Sequence, residues 1–345
     1  MRVAVCSSFV PFVNGGARLF NDWLVEQLRQ RGHQVDLINL PFQESPDELL
    51  QQMMAYRMID LSDRVDRLIT TRPPAHMIRH PRKVSWFIHH LRRYYDLWES
   101  PYRGFPDDAR HRALRDALMR ADTVGLGESH LRFTNSRVVA DRVKKYNGLD
   151  SEVLYPPLLK TDQFRCDGQA PAVVYVCRVE RHKRQHLLVE AFRHVREPLV
   201  LRIGGSTSDE AYAAQLKANI VEWGLSDRVE YVDDWISEQQ KADWLATSLM
   251  AAYIPLDEDS YGYPCLEAAH AEKPVLTLSD SGGVLELIEH GNNGVVVEPE
   301  PLAIAEAIEK LWSERQATAQ MGVRAKQRLK EIDINWDHVV ERLLA

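Results

Sequence analysis

The sequence predicts two successive α/β domains, each built on a parallel sheet, and three observations predict them. The chain has 345 residues, more than one hydrophobic core ordinarily serves. Its first forty residues read strand, loop, amphipathic helix, strand, a unit that implies parallel neighbours with ligands at the carboxyl ends of the strands. The apolar run Val173-Val174-Tyr175-Val176-Cys177 then restarts the same alternation after a polar stretch, 158–171, that contains Gly168 and Pro171. The linker is placed there, giving domains over 1–160 and 161–330.

In the first domain, residues 2–6 read as a short buried strand and Ser7 to Gly16 as a loop. An amphipathic helix follows from about Ala17 to Arg31, closed by Gly32, and Gln34 to Leu40 is the second strand. Asn14-Gly15-Gly16 stands just before the helix, where two glycines let backbone approach a ligand closely; a plain tight turn fits the same residues. The dinucleotide fingerprint G-x-G-x-x-G is absent, which removes the main support for an oxidoreductase. Residues 44–70 read as mostly helical. Val84 to Ile88 is a strand with His89 and His90 at its carboxyl end, where side chains face a ligand site more often than elsewhere. His90 is read as structural, and for His89 both a structural and a site role stay open. Arg92, Arg93, Tyr94, Tyr95, Trp98, Tyr102 and Arg103 fit an acceptor loop, a membrane-touching face, or a solvated helix with aromatic core contacts. Thr123 to Leu126 and Leu131 to Thr134 read as strand fragments. Asn135-Ser136 caps a helix to about Lys145, and Glu152 to Pro157 is a strand ending in a proline hinge.

In the second domain, Arg178 and Lys183 follow the first strand and precede a helix from about Gln185 to Val195; Arg181, His182 and Arg184 read as solvent-facing. Leu199 to Ile203 is a strand ending in Gly204-Gly205-Ser206. A helix over 209–223, a strand over 229–232 and a helix after Ser237 come next. Ser248 to Pro255 leads into an acidic loop, Val275 to Leu278 ends at Gly282-Gly283, and Val295 to Val297 closes the sheet. Helices over about 301–313 and 316–331 follow, and a last one begins near Trp336.

The stretch Asp259-Ser260-Tyr261-Gly262-Tyr263-Pro264-Cys265-Leu266-Glu267 carries the chemistry. Pro264 suits the first helical turn, where its missing N–H had no partner to lose. Gly262, Tyr263, Pro264 and Cys265 then form a helix N-terminus whose amides attract phosphate. Glu267, just inside the helix, is favoured by the dipole and can accept from two vicinal hydroxyls, as in a ribose diphosphate. Asp259 on the approach loop can reach a sugar hydroxyl beyond it. Arg178 and Lys183 are cations that would meet the same diphosphate. An acidic surface loop before an amphipathic helix is the plainer reading of the stretch.

Two acids around a Tyr-Gly turn, then Leu-Glu-Ala, Lys273-Pro274-Val275 and Gly282-Gly283, resemble the E-x7-E signature of retaining family 4 glycosyltransferases. Asp259 stands where that family usually has glutamate, one methylene shorter. Arg178 and Lys183 keep the interval of the family's Gly-Arg-Leu-x-x-x-Lys segment, with Cys177 and Val179 in the glycine and leucine places. Gly15-Gly16-Ala17, Arg31-Gly32-His33-Gln34-Val35 and Val153-Leu154-Tyr155-Pro156-Pro157 resemble its opening and the end of its first domain. The resemblance implies the GT-B fold: two facing Rossmann-like parallel-sheet domains with an interdomain cleft, the first on the acceptor side, the second binding nucleotide sugar. A C-terminal helix over about 331–345 would pack back on the first. It implies Gly15 and Gly16 against the donor diphosphate and His89 on the donor sugar, so that Asp259, His89, Arg178 and Lys183 form the reacting centre. It implies a front-face retaining transfer from a UDP- or GDP-sugar to a glycan or lipid-linked acceptor, with no cofactor and no metal.

Charge is uneven along the chain. Residues 1–160 carry 24 Lys and Arg against 19 Asp and Glu, and the remainder 19 against 31, so an anionic partner is expected on the first half. No nucleic-acid reader motif is present, and a membrane surface or phosphorylated lipid acceptor fits better. No apolar run reaches the ~18 residues that span a bilayer, and no signal peptide is visible. A cytoplasmic protein at the inner membrane face is expected, and Cys6, Cys166, Cys177 and Cys265 read as reduced packing residues. Two rivals stay open: a non-catalytic GT-B subunit that holds nucleotide sugar, and a nucleotide-sugar epimerase.

Overall fold

The computed structural model describes residues 1–11 and 16–345, with the side chains of 16–18 and 101 left aside. The chain divides into two units, Met1–Pro157 with Ile334–Ala345, and Leu158–Asp333. In the first, strands β1 (Arg2–Phe9), β2 (Gln34–Pro41), β3 (Arg67–Thr70), β4 (Lys83–Phe87), β5 (Leu131–Thr134) and β6 (Glu152–Val153) form one sheet in the order β2-β1-β3-β4-β5-β6. All its pairings are parallel. Helices α1 (Gly16–Gln30), α2 (Leu49–Arg57), α3 (Ala109–Gly127) and α4 (Arg137–Asn147) connect the strands.

Period-two alternation along β1 builds both faces of this sheet. Val3 and Val5 join Leu24 and Leu28 of α1 and Trp86 of β4, whereas Ala4 and Cys6 join Met53 and Tyr56 of α2 and Leu118 of α3. Polar side chains stitch the ends of β1 and β3. Asn21 of α1 donates to Ser7 Oγ at 2.9 Å and accepts from Thr71 Oγ1 at 2.8 Å.

Two expectations for this unit are corrected. Residues 67–70, expected to continue a helix, are a fully buried strand at the middle of the sheet; four residues are too few to display a period. Residues 123–126, expected as strand, end α3, whose buried positions Leu118, Asp122, Gly125 and Leu126 keep helical spacing. Its β-branched Thr123 satisfies its hydroxyl on Met119 O, 2.7 Å away and one turn back. Of the readings open for the basic-aromatic segment, aromatic core contacts are present, although Tyr102 stays exposed. Tyr94, Tyr95 and Trp98 are buried, Arg93 and Arg103 spend donors on backbone carbonyls, and Arg92 pairs with Asp96.

The second unit is also six parallel strands. They are β7 (Ala172–Val176), β8 (Val200–Gly204), β9 (Val229–Val232), β10 (Met250–Ala252), β11 (Val275–Leu278) and β12 (Gly294–Val297), in the order β12-β11-β10-β7-β8-β9. The chain starts at β7, runs outward to β9, then returns to β10 on the other side of β7. That reversal is the switch point at which open α/β sheets bind ligands. The helices are α5 (Gln185–Ala191), α6 (Glu210–Glu222), α7 (Glu238–Thr247), α8 (Tyr263–His270), α9 (Pro301–Ser313) and α10 (Arg315–Glu331).

A final helix, α11 (Trp336–Leu344), belongs to the first unit. Asn335 caps it by accepting from His338 N at 2.8 Å. Its apolar face, Trp336, Val339, Val340 and Leu343, completes the core that holds Val3, Leu28 and Trp86. Among the described residues, no helix is long and apolar enough to cross a membrane.

Candidate active site

Adjacent parallel strands bring two loops together in the second unit. β7 and β10 pair with Val173 opposite Met250 and Val174 opposite Ala251, so the turn Cys177–Lys183 and the loop Tyr253–Gly262 leave the same edge of the sheet. Lys183 ends the first turn with only 7% of its side chain exposed. Its ammonium pairs with Glu258 and donates to Tyr253 Oη at 3.0 Å, while Tyr253 Oη donates to Glu258 Oε2 at 3.1 Å. Tyr175 Oη donates to the carbonyl of Lys183 and fixes its backbone. Burial alone would raise the Glu258 carboxyl, but the Lys183 charge and hydrogen bond outweigh it and hold the acid below its usual range.

The acidic loop is held from two sides. Arg184 donates to Ile254 O at 2.8 Å and Pro255 O at 2.6 Å, and makes a two-pronged pair with Asp280 at 2.7 Å on each oxygen. It is buried, which corrects its expected solvent-facing place: a planar fork suits a buried carbonyl and carboxylate site. Gly282-Gly283 presses against the same loop. Gly283 N donates to Glu258 O at 2.8 Å, and a Cβ at Gly282 would lie 2.6 Å from that oxygen. Asp259 lies half-buried in this loop, its carbonyl oxygen 2.9 Å from where a Cβ of Gly283 would be.

Gly262 opens α8 with φ of +73°, and a Cβ there would sit 2.3 Å from the Tyr253 ring. Both the torsion and the close approach require glycine. Tyr263 and Pro264 form the first helical turn. The Cys265 amide donates to Gly262 O at 3.1 Å, so that N–H, expected to face a phosphate, is spent on the turn itself. Glu267, one turn in, is buried and pairs at 2.5 Å with Lys241 of α7, which also donates to Glu238 at 3.0 Å. Ser237 caps α7 by accepting from Gln240 N at 3.1 Å. Burial raises the Glu267 carboxyl and Lys241 offsets this only in part.

Lys183, Asp259, Gly262, Tyr263, Pro264, Cys265 and Glu267 thus gather in one unit at the switch point. Arg178 is there too, but half of its side chain is exposed and its guanidinium pairs with Glu180 at 2.6 Å. In the first unit His89 follows β4 by two residues. Its Nδ1 lies 2.8 Å from His90 O, and burial with the Arg72 charge pushes its pKa down to about 4. His90 is buried, its Nε2 2.9 Å from Asn147 Oδ1. Gly16 is the first residue of α1; Gly15 lies outside the described residues. Sequence reasoning missed Tyr253, Glu258 and Lys241. Only Glu258 left a signal, as the middle residue of Asp257-Glu258-Asp259.

Two six-stranded parallel sheets with this site define the class: the chain has the GT-B fold. The Anabaena HepE crystal structure in complex with UDP superposes with a TM-score of 0.70 over 99% of each chain, at 17% identity. Residues 160–328 match the model of the family described as glycosyl transferases group 1. The human alpha-1,3/1,6-mannosyltransferase ALG2 is 29% identical over 217 residues, 56% of this chain and 51% of its own length. The D-inositol 3-phosphate glycosyltransferase of Xylanimonas cellulosilytica is 28% identical over 179 residues, covering 51% and 41%. The chain therefore spans about half the length, or less, of the curated relatives it matches.

Proposed function

We propose that the chain is a retaining glycosyltransferase that moves a hexose from a UDP- or GDP-sugar to a hydroxyl of a glycan or lipid-linked acceptor. The observation that carries this reading is the meeting of Lys183, the acidic loop and a glycine-opened helix at the switch point, within residues that match the family. The relatives' names and the UDP bound to HepE support a nucleotide-sugar donor. Breaking the anomeric bond leaves charge on the diphosphate, so preorganised donors there contribute most. Lys183 and Arg178 take that role with the N-terminal turn of α8, and the family resemblance adds Gly15 and Gly16 as proposed diphosphate contacts. Glu267, held on one oxygen by Lys241, accepts from the ribose. Asp259 and His89 orient the donor sugar, and the leaving phosphate assists the acceptor on the same face. Polysaccharide or glycolipid assembly at the cytoplasmic membrane surface is the setting that fits a lipid-linked acceptor and the basic first half of the sequence.

The test is thermal stability with UDP, GDP, ADP and TDP, followed by turnover of the matching sugar donors, on wild type and Lys183→Ala. Ligand ~100-fold above its Kd should raise Tm by several degrees, and the rise should vanish in the variant. Because removing Lys183 leaves the Glu258 carboxylate with the Tyr253 hydroxyl but without its cation, each rise is read against the variant's own baseline. Binding without turnover would make the chain a non-catalytic subunit, and an isomerised donor without acceptor would make it an epimerase. A glycosyl adduct on Asp259 would overturn the front-face route.

A further inference from the structure

The geometry points to Glu258 as an internal competitor for the donor's diphosphate, holding the ammonium of Lys183 until phosphate displaces it. This deepens the donor-site reading above and rests on it.

Lys183 is a nearly buried cation with Glu258 and Tyr253 on its ammonium. Neither residue of the pair can withdraw by moving its backbone. The carbonyl of Lys183 is taken by Tyr175 Oη, and the backbone of Glu258 is bonded on both sides to the β11 loop, by Glu258 N to Ser281 O at 3.3 Å and Gly283 N to Glu258 O at 2.8 Å. Only the side chains can part, and the Glu258 side chain, 22% exposed, has a route toward water. An ammonium is a compact charge with three donors that re-aim freely, so it can turn from carboxylate to phosphate without moving its stem. A phosphate drawn to Lys183 while Glu258 stays in place brings two like charges together, which disfavours binding. Asp259, next in the chain, keeps its place at the sugar in the proposal above. Glu258 thus sets how strongly the site discriminates against weakly charged ligands, since a diphosphate outcompetes the carboxylate better than a monophosphate does.

The test is calorimetric titration of UDP, GDP and pyrophosphate into wild type, Glu258→Gln, Lys183→Met and the double variant. The expected result is a Kd about tenfold lower for Glu258→Gln, a factor of ten being ~1.4 kcal/mol. The gain should disappear in the Lys183→Met background. A Glu258→Gln protein that binds as weakly as wild type, or more weakly, would overturn the inference and leave the donor site standing. Binding by Glu258→Gln alone would support it in a stronger form. No binding by any variant would remove both the inference and the donor-site reading. Should Glu258→Gln fail to fold, Tyr253→Phe, which loosens the same contact, should lower Kd two- to threefold; a higher Kd would overturn the proposal.

Discussion

Lys241 has two duties, and replacing it with methionine should separate them. Removing one partner of a buried ion pair typically costs ~3–5 kcal/mol, so Lys241→Met should lose stability of that order in urea titration. Nucleoside diphosphate should also bind about tenfold more weakly, because Glu267 without its cation takes up a proton, and the loss should shrink for a 2′-deoxy nucleotide. Nothing in the sequence marked Lys241, since its partner is 26 residues away and on another helix. Lys183 and Glu267 could be read because local spacing ties them to a strand end and a helix start. His90 makes a second prediction. Burial pushes its pKa from 6.5 to about 4, and the Asn147 hydrogen bond does not compensate. A histidine depressed in the folded state contributes stability above about pH 6.5 that is lost as pH falls toward 4. At pH 5 that loss is about 2 kcal/mol, so His90→Gln should narrow the stability gap between pH 7 and pH 5 by roughly this amount.

At the scale of an element, α8 depends on one backbone torsion. Gly262→Ala puts a methyl 2.3 Å from the Tyr253 ring at φ of +73°, so either the ring or the helix start must move. A cost of about 1–3 kcal/mol is expected, with nucleotide affinity falling because the first turn of α8, whose N-terminal amides attract phosphate, is displaced; denaturation and calorimetry would check both. The elements that were legible are those with punctuation at their ends. The cap Ser136, whose Oγ accepts from Val139 N at 3.0 Å, and the glycines Gly32 and Gly148 in left-handed backbone bound helices that sequence reading placed within two residues. β3 had no punctuation and no room for a period, and the last turns of α3 carried β-branched residues that favour a strand until the buried stripe is seen. Tertiary burial decided both.

Across the whole molecule, α11 shows which unit the end of the chain serves. Deleting residues 334–345 removes Trp336, Val339, Val340 and Leu343 from the core around Leu28 and Trp86, and frees Arg67, which donates to Leu344 O at 3.1 Å. The first unit should then lose amide protection in hydrogen exchange while residues 158–333 keep theirs. Equal loss in both units would show that the helix supports the molecule in another way. The strand alternation made the two sheets legible, and their strand orders were not, because order depends on pairings between segments that no local pattern links. The discontinuous first unit also bears on how the protein is made. Its residues 1–157 leave the ribosome before the second unit, yet the helix that seals them is translated only after the entire second unit. At ordinary elongation rates that interval is roughly ten seconds or more. During it, the apolar surface meant for Trp336 and Val339 is open to chaperones or to neighbouring nascent chains. Of the two units, the one begun earlier is completed later.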